Sequence, residues 1–182
     1  MKEKILDTAA RLINQYGLKK FTIDEIAAIL KISKKTIYKY FSGKEEIIKE
    51  YFEVATRTDK ESINAALSDN LDISQKIHAI VYSSHRYRLP VSLLIEVKQF
   101  FPEEWAKVEE LKEFKLNAAT NLLKQGVDDG IFKPDINYAV LTKMFEKISD
   151  MFTDYDFLIE NRLNTREAMD EALKIIFKGI NI

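Results

Sequence analysis

Two helix-start signals bracket one short stretch, TIDEIAAILKISKKTIYKYFSGKEEI, from Thr22 to Ile47. Thr22-Ile-Asp-Glu25 and Ser42-Gly-Lys-Glu45 both read as capping boxes, in which a hydroxyl and a carboxylate satisfy each other's orphan amides. Between them Ile23, Ile26, Ala27 and Leu30 recur at helical spacing, Lys31-Ile32-Ser33 breaks the pattern, and Ser33 caps a further helix over Lys34–Tyr40 anchored inward by Ile37 and Phe41. The chain is thereby committed to two short helices joined by a tight turn and followed by a long third one. No acidic residue lies between Ile26 and Lys44, whereas Lys31, Lys34, Lys35, Lys39 and Lys44 all do.

That local bias is not a by-product of composition, because the 182 residues carry a formal net charge of only −1. Residues 1–57 hold 12 Lys and Arg against 8 Asp and Glu; the rest hold 16 against 21. A basic N-terminal module on an acidic body points to a polyanion at one end. Hydrophobic residues make up 46% and charged residues 31%, enough to bury a core and stay in solution.

With only 5 Gly and 3 Pro, and helical periodicity nearly throughout, the expected class is all-α. Nine helices are expected. The first covers 3–16, with Ile5, Leu6, Ala9, Leu12, Ile13 and Tyr16 on one face and Gly17 as its stop. The fourth runs to about Leu67, and Asp72 caps a fifth that reaches about Tyr87. Pro90 precedes a short apolar helix ending at Phe101, and Pro102 opens a long one to about Asp128. Helices over about 136–158 and 165–178 complete the chain. The division expected is a head over 1–46 and a body over 47–182.

The absence of cysteine excludes disulfides and thiolate ligands. Two histidines seven residues apart, with no carboxylate at ligand spacing, make a poor metal site, and there is no Gly-rich phosphate loop or nucleophile elbow. No metal, no cofactor and no catalytic residue is expected. The N-terminus is charged throughout, unlike a signal peptide, and no apolar run approaches the ~20 residues that span a bilayer, so a cytoplasmic protein with no membrane partner is expected.

Two helices joined by a three-residue turn, with small Ala27 at the crossing, form a helix-turn-helix, whose second helix places its N-terminal end in the DNA major groove. Here that end carries Ser33, Lys34, Lys35, Thr36, Tyr38 and Lys39, with Thr22, Tyr40 and Lys44 flanking. The lysines reach phosphates or guanine edges, and Thr36 and Tyr38 reach bases or thymine methyls. A merely solvated lysine face on a helical hairpin is the competing reading.

The stretch resembles the DNA-binding domain of the TetR family of bacterial transcriptional regulators. The resemblance rests on Phe21-Thr22, Ile26-Ala27, Ile32-Ser33, Thr36, Tyr38, Tyr40-Phe41 and Lys44-Glu45-Glu46, and on Ile5, Ala9, Leu12 and Tyr16-Gly17 before them. It covers about the first 50 residues. One departure lies in the turn, where Leu30-Lys31 replaces the usual Ala-Gly pair. A left-handed Lys31 would cost roughly 1 kcal/mol.

The resemblance implies a homodimer reading a near-palindromic operator on double-stranded DNA. It also implies a repressor released by a small hydrophobic or amphipathic effector bound in the body. An activator or architectural factor without effector gating is the alternative within the fold, and a helical protein-interaction module the alternative outside it. For the dimer interface, Leu141, Phe145, Ile148 and Phe152 on one late helix and Met169, Leu173 and Ile176 on the last present wide apolar faces. For the effector, His78, Tyr82 and His85 form a stripe which, with Phe101, Trp105, Phe114, Asn117 and Asn121, would make an aromatic cavity with polar anchors.

Overall fold

The computed structural model describes residues 1–83, 86–87, 89–151 and 155–180. Among them are ten helices and no strand: α1 (Lys2–Tyr16), α2 (Ile23–Leu30), α3 (Lys34–Tyr38), α4 (Lys44–Ser68), α5 (Ile73–Val81), α6 (Val91–Phe100), α7 (Pro102–Asp128), α8 (Tyr138–Met151), α9 (Tyr155–Glu160) and α10 (Thr165–Ile180). The all-α class holds. The ninth helix of the sequence reading is α10; the stretch read as one helix over about 136–158 is described as α8 and α9, and 152–154 lie outside the described residues.

Local chemistry sets most of these ends. Thr22 caps α2 through a full capping box: its Oγ accepts from the Glu25 amide at 3.2 Å, and its own amide donates to Glu25 Oε2 at 2.8 Å. Asp72 and Gln75 do the same for α5, and Asn164 and Glu167 for α10. The second box expected in the head is shifted by one residue. Because α4 starts at Lys44, its third position is Glu46, and Glu46 rather than Glu45 accepts from the Ser42 amide. That hydrogen bond holds the Glu46 carboxyl below the usual range. Helix α5 is also shorter than its periodicity implies. It ends at Val81 with Tyr82 as C-cap, just before a pair of serines that favour caps and turns over helix interior.

The chain divides into two compact units, Met1–Asn64 with Ser83–Leu111, and Ala65–Tyr82 with Lys112–Ile182. The first has a core of Phe21, Ile26, Ile37, Phe41, Ile47, Tyr51 and Phe52, each at most 1% exposed. Tyr87, Leu93 and Val97 join that core, and Phe101, Trp105 and Val108 pack on it half-buried. The packing around the head thus extends well beyond residue 46.

Tyr51 stacks on Tyr87 at 5.4 Å between ring centres, and burial pushes the Tyr51 hydroxyl up to about 12. Its folded value lies above the ordinary tyrosine value near 10, so the protonated ring stabilises the fold below pH 10 and that contribution is lost as pH rises toward 12. Stability should fall over that window by up to about 1.4 kcal/mol per pH unit for this one group. Urea melts at stepped pH should show the fall, and Tyr51→Phe should flatten it by that amount.

In the second unit, the turn after α7 folds back on its own helix. The Ile131 and Phe132 amides both donate to Gly126 O, and the Phe132 ring lies against Gly126 and stacks on Phe177 at 6.1 Å. Lys133 then donates from its amide to Ile180 O and from Nζ to Gly179 O, both at 2.8 Å, satisfying carbonyls at the end of α10. A methyl group on Gly126 would sit 2.3 Å from the Phe132 ring, which is 1% exposed and has nowhere to go. Gly126→Ala should therefore destabilise the fold by about 1–2 kcal/mol, the gain in helix propensity offsetting part of the overpacking. Calorimetry should record a melting temperature lower by roughly 2–8 °C.

Candidate nucleic-acid interface

The turn between α2 and α3 decides which way the lysines face. Lys31 adopts φ 53° and ψ 43°, the left-handed conformation, and its amide bonds back to Ala27 and Ala28 carbonyls. The Ile32 amide donates to Ala27 O at 3.0 Å. A lysine thus takes the place glycine usually fills, as the sequence implied, and the strain is held by a closed set of backbone bonds. Ser33 then opens α3: its Oγ accepts from the Thr36 amide at 3.1 Å and lies 2.9 Å from Thr36 Oγ1.

From that start, α3 turns Ile37 and the following Phe41 fully inward. Ser33, Lys34, Lys35, Tyr38, Lys39 and Tyr40 are exposed, and Thr36 is half-buried. Tyr38 is 52% and Tyr40 40% exposed, large rings left in water on a stretch that also carries exposed Lys34, Lys35 and Lys39. Such rings suit base edges, sugars and phosphates. Lys34 pairs with Asp24 of α2 at 2.5 Å, an exposed contact that a phosphate can replace.

Two expected contact residues are already engaged. The Thr22 hydroxyl is taken up by the Glu25 cap. Lys44 Nζ donates to Lys19 O at 2.6 Å and Phe21 O at 2.8 Å and lies over the Phe21 ring. Desolvation there lowers the Lys44 pKa.

Residues 5–51 match the family model described as "Bacterial regulatory proteins, tetR family". By its head, the chain is similar to the tetR family. The uncharacterized HTH-type transcriptional regulator YhgD of Bacillus subtilis (strain 168) is 25% identical over 152 residues, covering 79% of this chain and 80% of the relative. A transcriptional regulator from Saccharomonospora viridis, solved in complex with choline, superposes with a TM-score of 0.81 at 18% identity, over 100% of this chain and 97% of the other. The regulator FadR from Bacillus subtilis, solved in complex with stearoyl-CoA, gives a TM-score of 0.71 at 19% identity, with 100% of both chains covered. Both solved structures share the all-α fold of this chain.

The expected effector residues fall in several places. His78 and Tyr82 are in ring contact at 4.7 Å. His78 Nε2 lies 3.0 Å from Asp170 Oδ1, and the Tyr82 hydroxyl donates to Arg166 O at 3.1 Å, so both meet α10. Burial and Asp170 push the Tyr82 hydroxyl well up. Phe101 and Trp105 pack on the first unit's core; in the second unit Phe114 is half-buried while Asn117 and Asn121 are exposed. His85 lies outside the described residues. A cavity of about 620 Å³ is lined by Asp7, Ala10, Arg11, Asn14, Gln15, Arg86 and Tyr87, none of them among the eight effector residues named above.

Of the expected interface residues, Leu141, Leu173 and Ile176 are buried within the chain itself, and Phe145, Ile148 and Met169 are half-buried. Phe152 lies outside the described residues. Among the described residues, the large exposed apolar side chains on α8 and α10 are their neighbours Val140, Met144 and Ile175, at 56%, 46% and 65%. No described helix is long and apolar enough to cross a membrane.

Proposed function

We propose that this chain is a ligand-responsive transcriptional repressor that binds a near-palindromic DNA operator as a homodimer. The observation that carries the reading is α3: Ile37 and Phe41 are fully buried while Lys34, Lys35, Tyr38, Lys39 and Tyr40 face water. That division leaves a lysine and tyrosine face with the size and charge to enter a major groove. Residues 1–46 act as the reading head and 47–182 as the dimerising and ligand-binding body of a cytoplasmic regulator with no enzymatic role. Val140, Met144 and Ile175 on α8 and α10 support a two-fold interface, with heads about 34–36 Å apart on successive grooves.

The effector belongs to the small hydrophobic or amphipathic class, in keeping with the amphipathic stearoyl-CoA held by one structural relative. To release DNA it must favour the non-binding conformation by about 1–3 kcal/mol, the usual size of an allosteric coupling.

Anisotropy titrations with DNA from upstream of the protein's own gene test the reading. Affinity should fall steeply between 50 and 200 mM salt, and Lys39→Ala should weaken specific and unrelated DNA alike, as loss of a phosphate contact does. A flat salt dependence would sink the proposal.

A further inference from the structure

Helix α6 reaches the head through a carboxylate. Glu96 accepts from the Leu18 amide at 2.7 Å and the Lys19 amide at 2.9 Å, two successive N–H groups just past the end of α1. Such paired amides form an anion-binding concavity. Gly17 makes room for the carboxylate: with φ 88° and ψ 171° it holds a conformation open essentially to glycine alone, and a Cβ there would come within 2.7 Å of Glu96 Oε2. The next peptide bond continues the line. Lys19 O accepts from Lys44 Nζ at 2.6 Å, Phe21 O shares the same ammonium at 2.8 Å, and Lys44 is the first residue of α4, three positions after Phe41. The Lys19 side chain in turn lies over Phe100 at the end of α6.

We infer that Glu96 is a positioning residue of the DNA-binding head, acting through the backbone around Lys19 on Lys44 at the start of α4. This rests on the repressor reading proposed above and names the contact that ties α6 to the start of α4. A carboxylate and an ammonium, one from each helix, grip the same short loop from its donor and acceptor sides. Each charged group strengthens its hydrogen bonds, and neighbouring bonds polarise one another. Shifting α6 therefore loosens the loop, and with it the two carbonyls that locate Lys44. Residues preceding α6 hold α1 nearer its start, where the Tyr87 hydroxyl donates to Asp7 Oδ1 at 2.7 Å and Arg86 pairs with Glu3 and Asp7.

Amide hydrogen exchange by NMR on the full chain, in Glu96→Gln, Lys44→Met and the double variant, tests the link. Glu96→Gln should speed exchange at Leu18 and Lys19 at least tenfold and also speed it at Phe41 and Ile47, on the Lys44 side. Lys44→Met should speed exchange at Leu18 and Lys19 in return, and the double variant should exceed neither single by more than about twofold. Operator affinity should drop about tenfold in Glu96→Gln with its salt slope unchanged, because no phosphate-contacting charge is lost. An effect confined to residues 18 and 19, or singles that add in the double variant, overturns the inference. If Glu96→Gln loosens the whole unit, the Lys44→Met response at Leu18 and Lys19 decides alone. Failure of the unaltered chain to bind DNA would refute the repressor reading, while the exchange results would still decide the link.

Discussion

Replacing Lys34, Lys35 and Lys39 together by alanine should leave the fold intact and lower DNA affinity by about a hundredfold per head at physiological salt. Each phosphate contact contributes about 0.9 to the slope of log affinity against log salt, so three contacts remove about 2.7 from it. All three side chains stand on the exposed face of α3 and none contributes to the core, so melting should shift little. Their contributions are unequal. Lys34 must first leave Asp24, whereas removing the triplet also strips Asp24 of its partner near the groove. Lys35→Ala and Lys39→Ala should thus each cost more affinity than Lys34→Ala. Anisotropy titrations at several salt concentrations give both the loss and the slope, and an unchanged slope would show that these lysines do not meet phosphate.

Phe41→Ala should act on the same face from behind. The ring is 1% exposed, packs in the core shared by α1 and α4, and has Lys2 Nζ 5.5 Å from its centre. Truncating such a phenylalanine costs about 3–5 kcal/mol, lost transfer energy plus the cavity left behind. For a chain of this size that lowers the melting temperature by roughly 6–20 °C. The consequence for binding should be larger than the melt suggests. Helix α3 has five residues, far below the length at which a helix holds in water by itself, and Ile37 and Phe41 are what dock it. Circular dichroism should report the melt; binding should be lost at temperatures where most helix remains.

What the sequence made legible was local. The Thr22–Glu25 box, the Ser33 cap and the left-handed Lys31 depend on residues at most four apart, and they are found as read. The second box slipped to Glu46 because Gly43 lets α4 begin one residue later than the serine implied. The stop of α5 at Val81 leaves no mark in the periodicity, because the apolar pattern runs on past the C-cap Tyr82. Glu96 left no signal at all. Its partners are backbone amides up to 78 positions away, and an amide is present whatever the side chain. The lysine face could be read from charge and spacing, but the engagement of Lys44 with two carbonyls could not. On α8 and α10, periodicity gave the apolar side but not which residues the chain buries itself; Leu141 and Val140 are adjacent, yet one is 5% and the other 56% exposed.

The core that α6 shares with the head bears on how such regulators exchange parts. A fragment ending at residue 46 would carry Phe21, Ile37 and Phe41 without Tyr51, Phe52, Leu93 and Val97 to cover them. It would expose the very surface that orders its reading helix. A transferable module should therefore be discontinuous in sequence, residues 1–64 together with 83–111, with the 1–46 head as its reading part. A chimera that keeps both pieces should retain its operator preference under a new body, whereas one cut at the end of the helix-turn-helix should collect in inclusion bodies.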